Sequence, residues 1–304
     1  MTTMLQLGQK VMGELGLDVP IAIASSTDKN LIQLLALMNA AGDELLHIPD
    51  VGWEAATTEY RFTVSHSTMA GITTNGSPII TGISSTASLA ASTWMVTGSG
   101  IPQDTYILSV DSATQVTLTQ SATQTSTGSV TLNFCKTKYA LPADYDYLIN
   151  KTQWDKSMHW EMLGPETSQQ WQWLKSGYIA TGPRIRYRLL GGTFQIWPPV
   201  STDEYLGFEY HSLYWARNSG GTAISGFSAD TDTCIYPTRL FVLFTKVKFW
   251  EAKGFDTTAL YRDYLMELSS CISRDTASPT LSFAPRPSEV LISWDNIPDS
   301  GYGR

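Results

Sequence analysis

The sequence predicts an α+β chain: an antiparallel helical bundle carrying a small antiparallel β-sheet, with an inserted all-β domain. Three observations carry that expectation. Lys29–His47 and Pro237–Arg274 repeat apolar residues at helical spacing. Arg184–Trp197 alternates around Gly191-Gly192, the mark of a two-residue hairpin. Residues 64–134 hold only Asp104 and Asp111 as charged side chains and are otherwise rich in Thr, Ser, Gly, Val and Ile.

In chain order, Met4–Leu15 reads as a short helix ended near Gly16 and Pro20. Ser25 to Asp28 supplies N-cap chemistry for the next helix, whose Leu31, Leu34, Leu35, Met38, Ala41 and Leu45 share one face. After the turn at Pro49 to Trp53, Tyr60, Phe62 and Val64 alternate as a strand. Short β-like runs follow at Pro78–Thr81, Trp94–Thr97, Thr105–Val110, Gln115–Leu118 and Ser129–Phe134, separated by turn residues. A Ser/Thr-rich disordered linker is the alternative for this stretch, but its regular apolar runs argue against disorder. Leu141 to Asp144 reads as a strand end leading into a helix, and Pro165–Lys175 as a short helix stopped by Gly177.

Leu206–Trp215 reads as a further strand, followed by a loop over Ala216–Asp232. In the helical pair, Leu240, Leu243, Phe244, Val247 and Trp250 form one stripe, with Phe241, Val242 and Phe249 off it. Such a helix needs cover on several sides, and Phe241 and Phe249 become candidate inter-subunit residues. The second helix is expected to turn Leu260, Tyr264, Leu265, Leu268 and Ile272 inward and Arg262, Asp263 and Glu267 outward. The chain thus divides into a first core part (1–63), the β-rich segment (64–134), a second core part (135–275) and an extended tail (276–304). The tail carries Leu281, Phe283, Val290, Leu291, Ile292 and Trp294 among four prolines, a composition suited to docking rather than to a solvated terminus.

Composition excludes several function classes. With 28 acidic against 20 basic residues, the net charge of −8 opposes tight binding to a phosphate backbone. It suits a wall past which DNA slides. Cys135, Cys234 and Cys271 lie far apart, without CxxC or metal-ligand spacing, and read as buried apolar thiols. The N-terminus predicts no secretory signal, and the longest apolar run is broken by Lys246 and Lys248, so no membrane span is expected.

No catalytic, metal or cofactor site is predicted. His47, His66, His159 and His211 are scattered, and there is no HExxH, GxSxG or P-loop pattern. Asp144 with Asp146, and Asp230 with Asp232, read as helix caps rather than as a glycosidase pair. Arg184, Arg186 and Arg188 share one strand face. They read as a solvated face, as partners for a neighbouring subunit, or, third, as a DNA contact. Trp154, Trp160, Trp171, Trp173, Trp197, Tyr214 and Trp215 leave a carbohydrate-binding surface as a second class of reading, although such residues more often fill cores and interfaces.

Three ordered stretches carry a family resemblance. The first is the N-terminal helical pair leading to Gly52-Trp53-Glu54. The second joins Tyr139 to Tyr145, Leu163-Gly164-Pro165, Trp171 to Gly177, Gly182-Pro183-Arg184 and Ile196 to Pro199. The third is Phe227 to Thr233 with Trp250 to Gly254. In this order they resemble the head-to-tail adaptor family of short-tailed phages, also called connectors, tail accessory factors or tail tubular protein A-like proteins. Residues 64–134 depart from the smallest members and resemble small β modules common in phage structural proteins.

The resemblance implies a non-enzymatic virion protein at the head-tail junction, made in the bacterial host cytoplasm. It implies a homo-oligomeric, dodecameric ring that binds the portal protein, lets DNA pass non-specifically and recruits nozzle or fibre proteins. It also implies a portal-docking role for the tail residues named above. A tail-associated glycan-binding or cell-wall-degrading protein is the alternative.

Overall fold

A computed structural model describes residues 2–49, 51–176 and 184–275. Five α-helices lie among them: α1 (Met4–Glu14), α2 (Lys29–Leu46), α3 (Ser168–Lys175), α4 (Thr238–Lys253) and α5 (Thr258–Asp275). Local chemistry sets their ends. Thr3 and Gln6 close a capping box at α1, each side chain accepting from the other residue's backbone N–H. Asp28 Oδ1 accepts the Asn30 N–H at 2.8 Å to start α2. Gly254, at φ 77°, ends α4 in the left-handed conformation that a side chain disfavours.

The helical core is built around α4, which packs on α1, α2 and α5. Its all-round apolar surface is therefore covered inside one chain, as its composition demands. Leu240, Phe241, Val242 and Val247 meet Leu7 and Val11 of α1 and Leu34, Met38 and Leu45 of α2 in one cluster. Trp215 enters the same cluster edge-on to Phe227, donating Nε1–H to Asp43 Oδ1 at 2.7 Å. Gly42 is required there: a Cβ at that position would collide with the Trp215 ring.

The rest of the described chain is dominated by five antiparallel sheets. The central one pairs Thr57–Thr63 with Tyr205–Ser212, which also pairs with Trp154–Asp155 and Tyr145–Leu148. A second joins Lys138–Ala140, Thr193–Trp197 and Arg186–Leu190; the last two form the expected hairpin around Gly191 and Gly192, both at positive φ. Their shared core stacks Tyr187, Phe194 and Phe208. Short strands at Ala216–Arg217 and Ala223–Ile224, inside the stretch read as a loop, form a third sheet with Thr233–Cys234 just beyond it.

Between Thr63 and Lys138 the chain makes two three-stranded sheets over a common core that includes Ile80, Val96, Ile107, Val116, Leu132 and Phe134. All five expected runs pair here near their predicted places; His66–Gly71 is an additional strand. This segment packs onto its neighbours. Met95 and Tyr106 join Trp171, Leu174 and Trp197 in one cluster, and Lys175 Nζ lies 2.9 Å from Asp104 Oδ1.

These observations correct the predicted fold class. The protein is not a helical bundle with an inserted domain; it is a largely β-sheet structure of several small antiparallel sheets, with α1, α2 and α5 clustered around α4. The error has a physical source. Strands of two residues, such as Trp154–Asp155 and Trp160–Glu161, show no alternation, so sequence periodicity gives helices undue weight. Likewise, Tyr145–Leu148 is a strand where a helix start was expected, because it pairs with Tyr210 and His211.

Candidate interaction surface

The turn between α4 and α5 positions an apolar groove. Asp256 Oδ1 accepts the Thr258 N–H and hydroxyl at 3.0 and 2.7 Å, starting α5 directly after Phe255. Phe255 stands 63% exposed, edge-to-face with Trp250 at 6.0 Å. Opposite lies the segment that leaves α1, with Leu17 and Val19 outward, Val19 58% exposed. Between these walls is a groove of about 840 Å³ floored by Met12, Leu31 and Phe249. Asp18, Asp28 and Asp256 rim it, beside Lys253, whose Nζ donates to Asn30 Oδ1 at 3.0 Å. The rim is acidic on balance.

A second apolar surface runs along α5. Tyr264, Leu268 and Cys271 bury against α4, with Tyr264 stacked on Phe244 at 4.5 Å. At the edge of that buried side Tyr261 and Leu265 are 48% and 45% exposed, Tyr261 touching the Tyr264 ring at 5.7 Å, and Met266 is 64% exposed on the solvent side. Leu265, expected inward, faces out. One helical step separates it from Tyr264, and the single partner α4 takes only the Tyr264 side.

The predicted site residues are distributed differently. Phe241 and Phe249 are buried in their own chain's core, so their expected inter-subunit role is corrected: α1, α2 and α5 supply the cover. Arg186 pairs with Glu166 at 2.5 Å, and Arg188 donates to Ser168 Oγ at 2.8 Å; both are engaged within the chain, while Arg184 is exposed. Leu281, Phe283, Val290, Leu291, Ile292 and Trp294 lie outside the described residues.

The paired aspartates are not helix caps. Asp144 accepts from the Tyr210 and Ser212 hydroxyls at 2.9 and 2.6 Å, fastening the central sheet. Asp230 accepts the Ile23 and Ala24 N–H groups, and Asp232 accepts those of Ser228 and Ala229. The helices simply begin elsewhere.

Two polar features lie on the central sheet. A cleft of about 540 Å³ is lined by Glu59, Glu209, Trp154, His159 and Lys156. Glu59 and Glu209 are direct cross-strand partners. Hydrogen bonds from Arg61 and Lys156 hold the Glu59 carboxyl down at about 2, which suits a permanent anion and not a general acid.

His211 is the other. It is 1% exposed and stacked on Tyr147 at 4.9 Å, with neither ring nitrogen hydrogen-bonded and Asp146 Oδ2 3.9 Å away. Burial pushes its pKa below the usual histidine value, with Asp146 opposing and His47 adding to that shift.

Among the described residues no cluster of His, Cys, Asp and Glu fits a metal ion, and no helix is long and apolar enough to cross a membrane. The three aromatics of residues 64–134, Trp94, Tyr106 and Phe134, are all buried, leaving that segment no aromatic platform on its surface. No protein-family model matches the chain, and no curated protein matches its sequence. Leu17, Val19, Phe255 and Met266 do not stand out in the sequence as site residues. Apolar residues next to Gly16 and Gly254 were the available sign, since turns seldom spend them without a contact to make.

Proposed function

We propose that this chain is a non-enzymatic virion structural protein, a head-to-tail adaptor. Its copies form a ring at the head-tail junction that binds the portal protein, continues the DNA channel and recruits nozzle or fibre proteins. The exposed apolar residues of α5 support this reading best. A helix packed on one neighbour and still presenting Tyr261, Leu265 and Met266 to solvent has apolar surface left to cover, as an assembly subunit requires. The resemblance of the ordered motifs supplies the class of partner. The charge of −8 suits DNA passage without capture. The tail residues Leu281, Phe283, Val290, Leu291, Ile292 and Trp294 are assigned to portal docking.

Native mass spectrometry with and without portal rings tests the proposal. The expected result is a ring on the portal that a Leu265→Asp/Met266→Asp variant no longer forms while keeping its circular dichroism spectrum. A protein that never joins the portal overturns the reading. The cleft at Trp154 favours one alternative, a glycan-binding role, because an indole beside carboxylates is the equipment for holding a sugar. Titration of the full chain with soluble peptidoglycan or polysaccharide fragments, followed by Trp154 fluorescence against Trp154→Phe, decides it.

A further inference from the structure

The groove at the α4–α5 turn is separate from the α5 face and lacks an occupant among the described residues. Its chemistry specifies one. The floor and walls ask for large apolar side chains. The rim asks for a cation opposite Asp18, Asp28 and Asp256, with room for an anion near Lys253.

The chain contains such a segment: Arg286, Glu289, Val290, Leu291, Ile292 and Trp294 lie within nine consecutive positions. Reach selects it over the rest of the tail. Asp275 ends α5 and is anchored there, its Oδ2 accepting the Glu54 N–H at 2.9 Å. The groove lies at the opposite end of α5, and a helix of 18 residues spans about 27 Å. Leu281 and Phe283 follow Asp275 by 6 and 8 residues. At most about 3.3 Å per residue, they fall short of or barely attain that span. Arg286 follows by 11 residues and attains it with slack, and Val290–Trp294 by more.

We propose that residues 286–294 of the same chain occupy this groove, with Val290, Ile292 and Trp294 over Met12, Leu31 and Phe249 and Arg286 against the acidic rim. A tethered segment competes at an effective concentration of about millimolar, far above that of a free partner. Docking of these residues on another protein requires their release first, so the groove holds them in reserve. The inference stands whether or not the protein is an adaptor.

Hydrogen-exchange mass spectrometry on the full chain tests it. Amides of residues 16–21 and 254–257 should exchange about tenfold faster in Ile292→Asp/Trp294→Asp than in the parent, and at parent rates in Leu281→Asp/Phe283→Asp. Phe255→Asp should in turn speed exchange across 286–294. Equal protection in the parent and Ile292→Asp/Trp294→Asp overturns the proposal. So does protection that disappears on dilution to a monomer, which assigns the segment to a neighbouring copy. Failure of the parent to bind the portal, with these exchange changes present, counts against the adaptor reading alone.

Discussion

Helices α4 and α5 follow one another, are of similar length and are both studded with apolar residues, yet they occupy opposite situations. α4 is enclosed by three helices along most of its length, and only its last turn, with Phe249 and Trp250, borders open space at the groove. α5 has α4 as its one main partner and leaves Tyr261, Leu265 and Met266 exposed. The more apolar helix is thus the less available one. Surplus hydrophobicity in a sequence announces a need for cover; whether that cover comes from the same chain or another depends on how many neighbours the fold provides.

The largest expected effect probes the enclosed helix. Phe241→Ala should cost about 3–5 kcal/mol, since the ring is fully buried against Trp215, Phe227 and Tyr236 and rigid neighbours cannot fill the gap. Urea unfolding measures it, and a loss below about 1 kcal/mol breaks the claim that α4 belongs to the core. Gly42→Ala approaches the same core from α2. It should cost about 1–3 kcal/mol by driving a methyl into Trp215, read out as a lowered urea midpoint and a shift in tryptophan emission.

Acid separates the sheet from both helices. His211 is neutral in the fold because burial lowers its pKa, whereas the unfolded chain protonates it near the ordinary value. Below that value the unfolded state binds more protons, so stability falls as pH falls, by at most about 1.4 kcal/mol per pH unit. Above it the group contributes no pH dependence. His211→Phe should remove this slope, measured as urea midpoints at pH 7.5 and 5.5, with Asp146, Tyr147 and His47 unchanged around it. An unaltered slope assigns the acid sensitivity to another group.

The smallest effect on stability falls on the open helix. Met266→Asp should change folding free energy by no more than about 0.5 kcal/mol, as expected for an exposed helical position. It should nonetheless reduce assembly on the portal. A large loss of stability would mean that α5 is as enclosed as α4, and the contrast between them would vanish.

Much of the fold was legible in local pattern. Asp28, Gly254, and Gly191 with Gly192 mark ends and turns because caps and positive-φ positions are chemical requirements of a few neighbouring atoms. The groove was not legible, since Leu17, Leu31 and Phe255 come from three separate parts of the chain. Asp144 and Asp230 illustrate the same limit. Their carboxylates needed hydrogen-bond donors, but the donors proved to be Tyr210, Ser212, Ile23 and Ala24 rather than the start of a nearby helix.

The sequence by itself determined where the five helices run to within a few residues, the central hairpin, the acidic balance and the need to cover α4. Only the tertiary structure decided that sheets dominate the rest, that Phe241 and Phe249 are satisfied at home, and that Leu265 is left outside. Periodicity and capping act over a few residues, and the chain carries that information locally. Burial is a property of pairs of surfaces, and which surfaces meet is set by contacts between residues far apart along the chain.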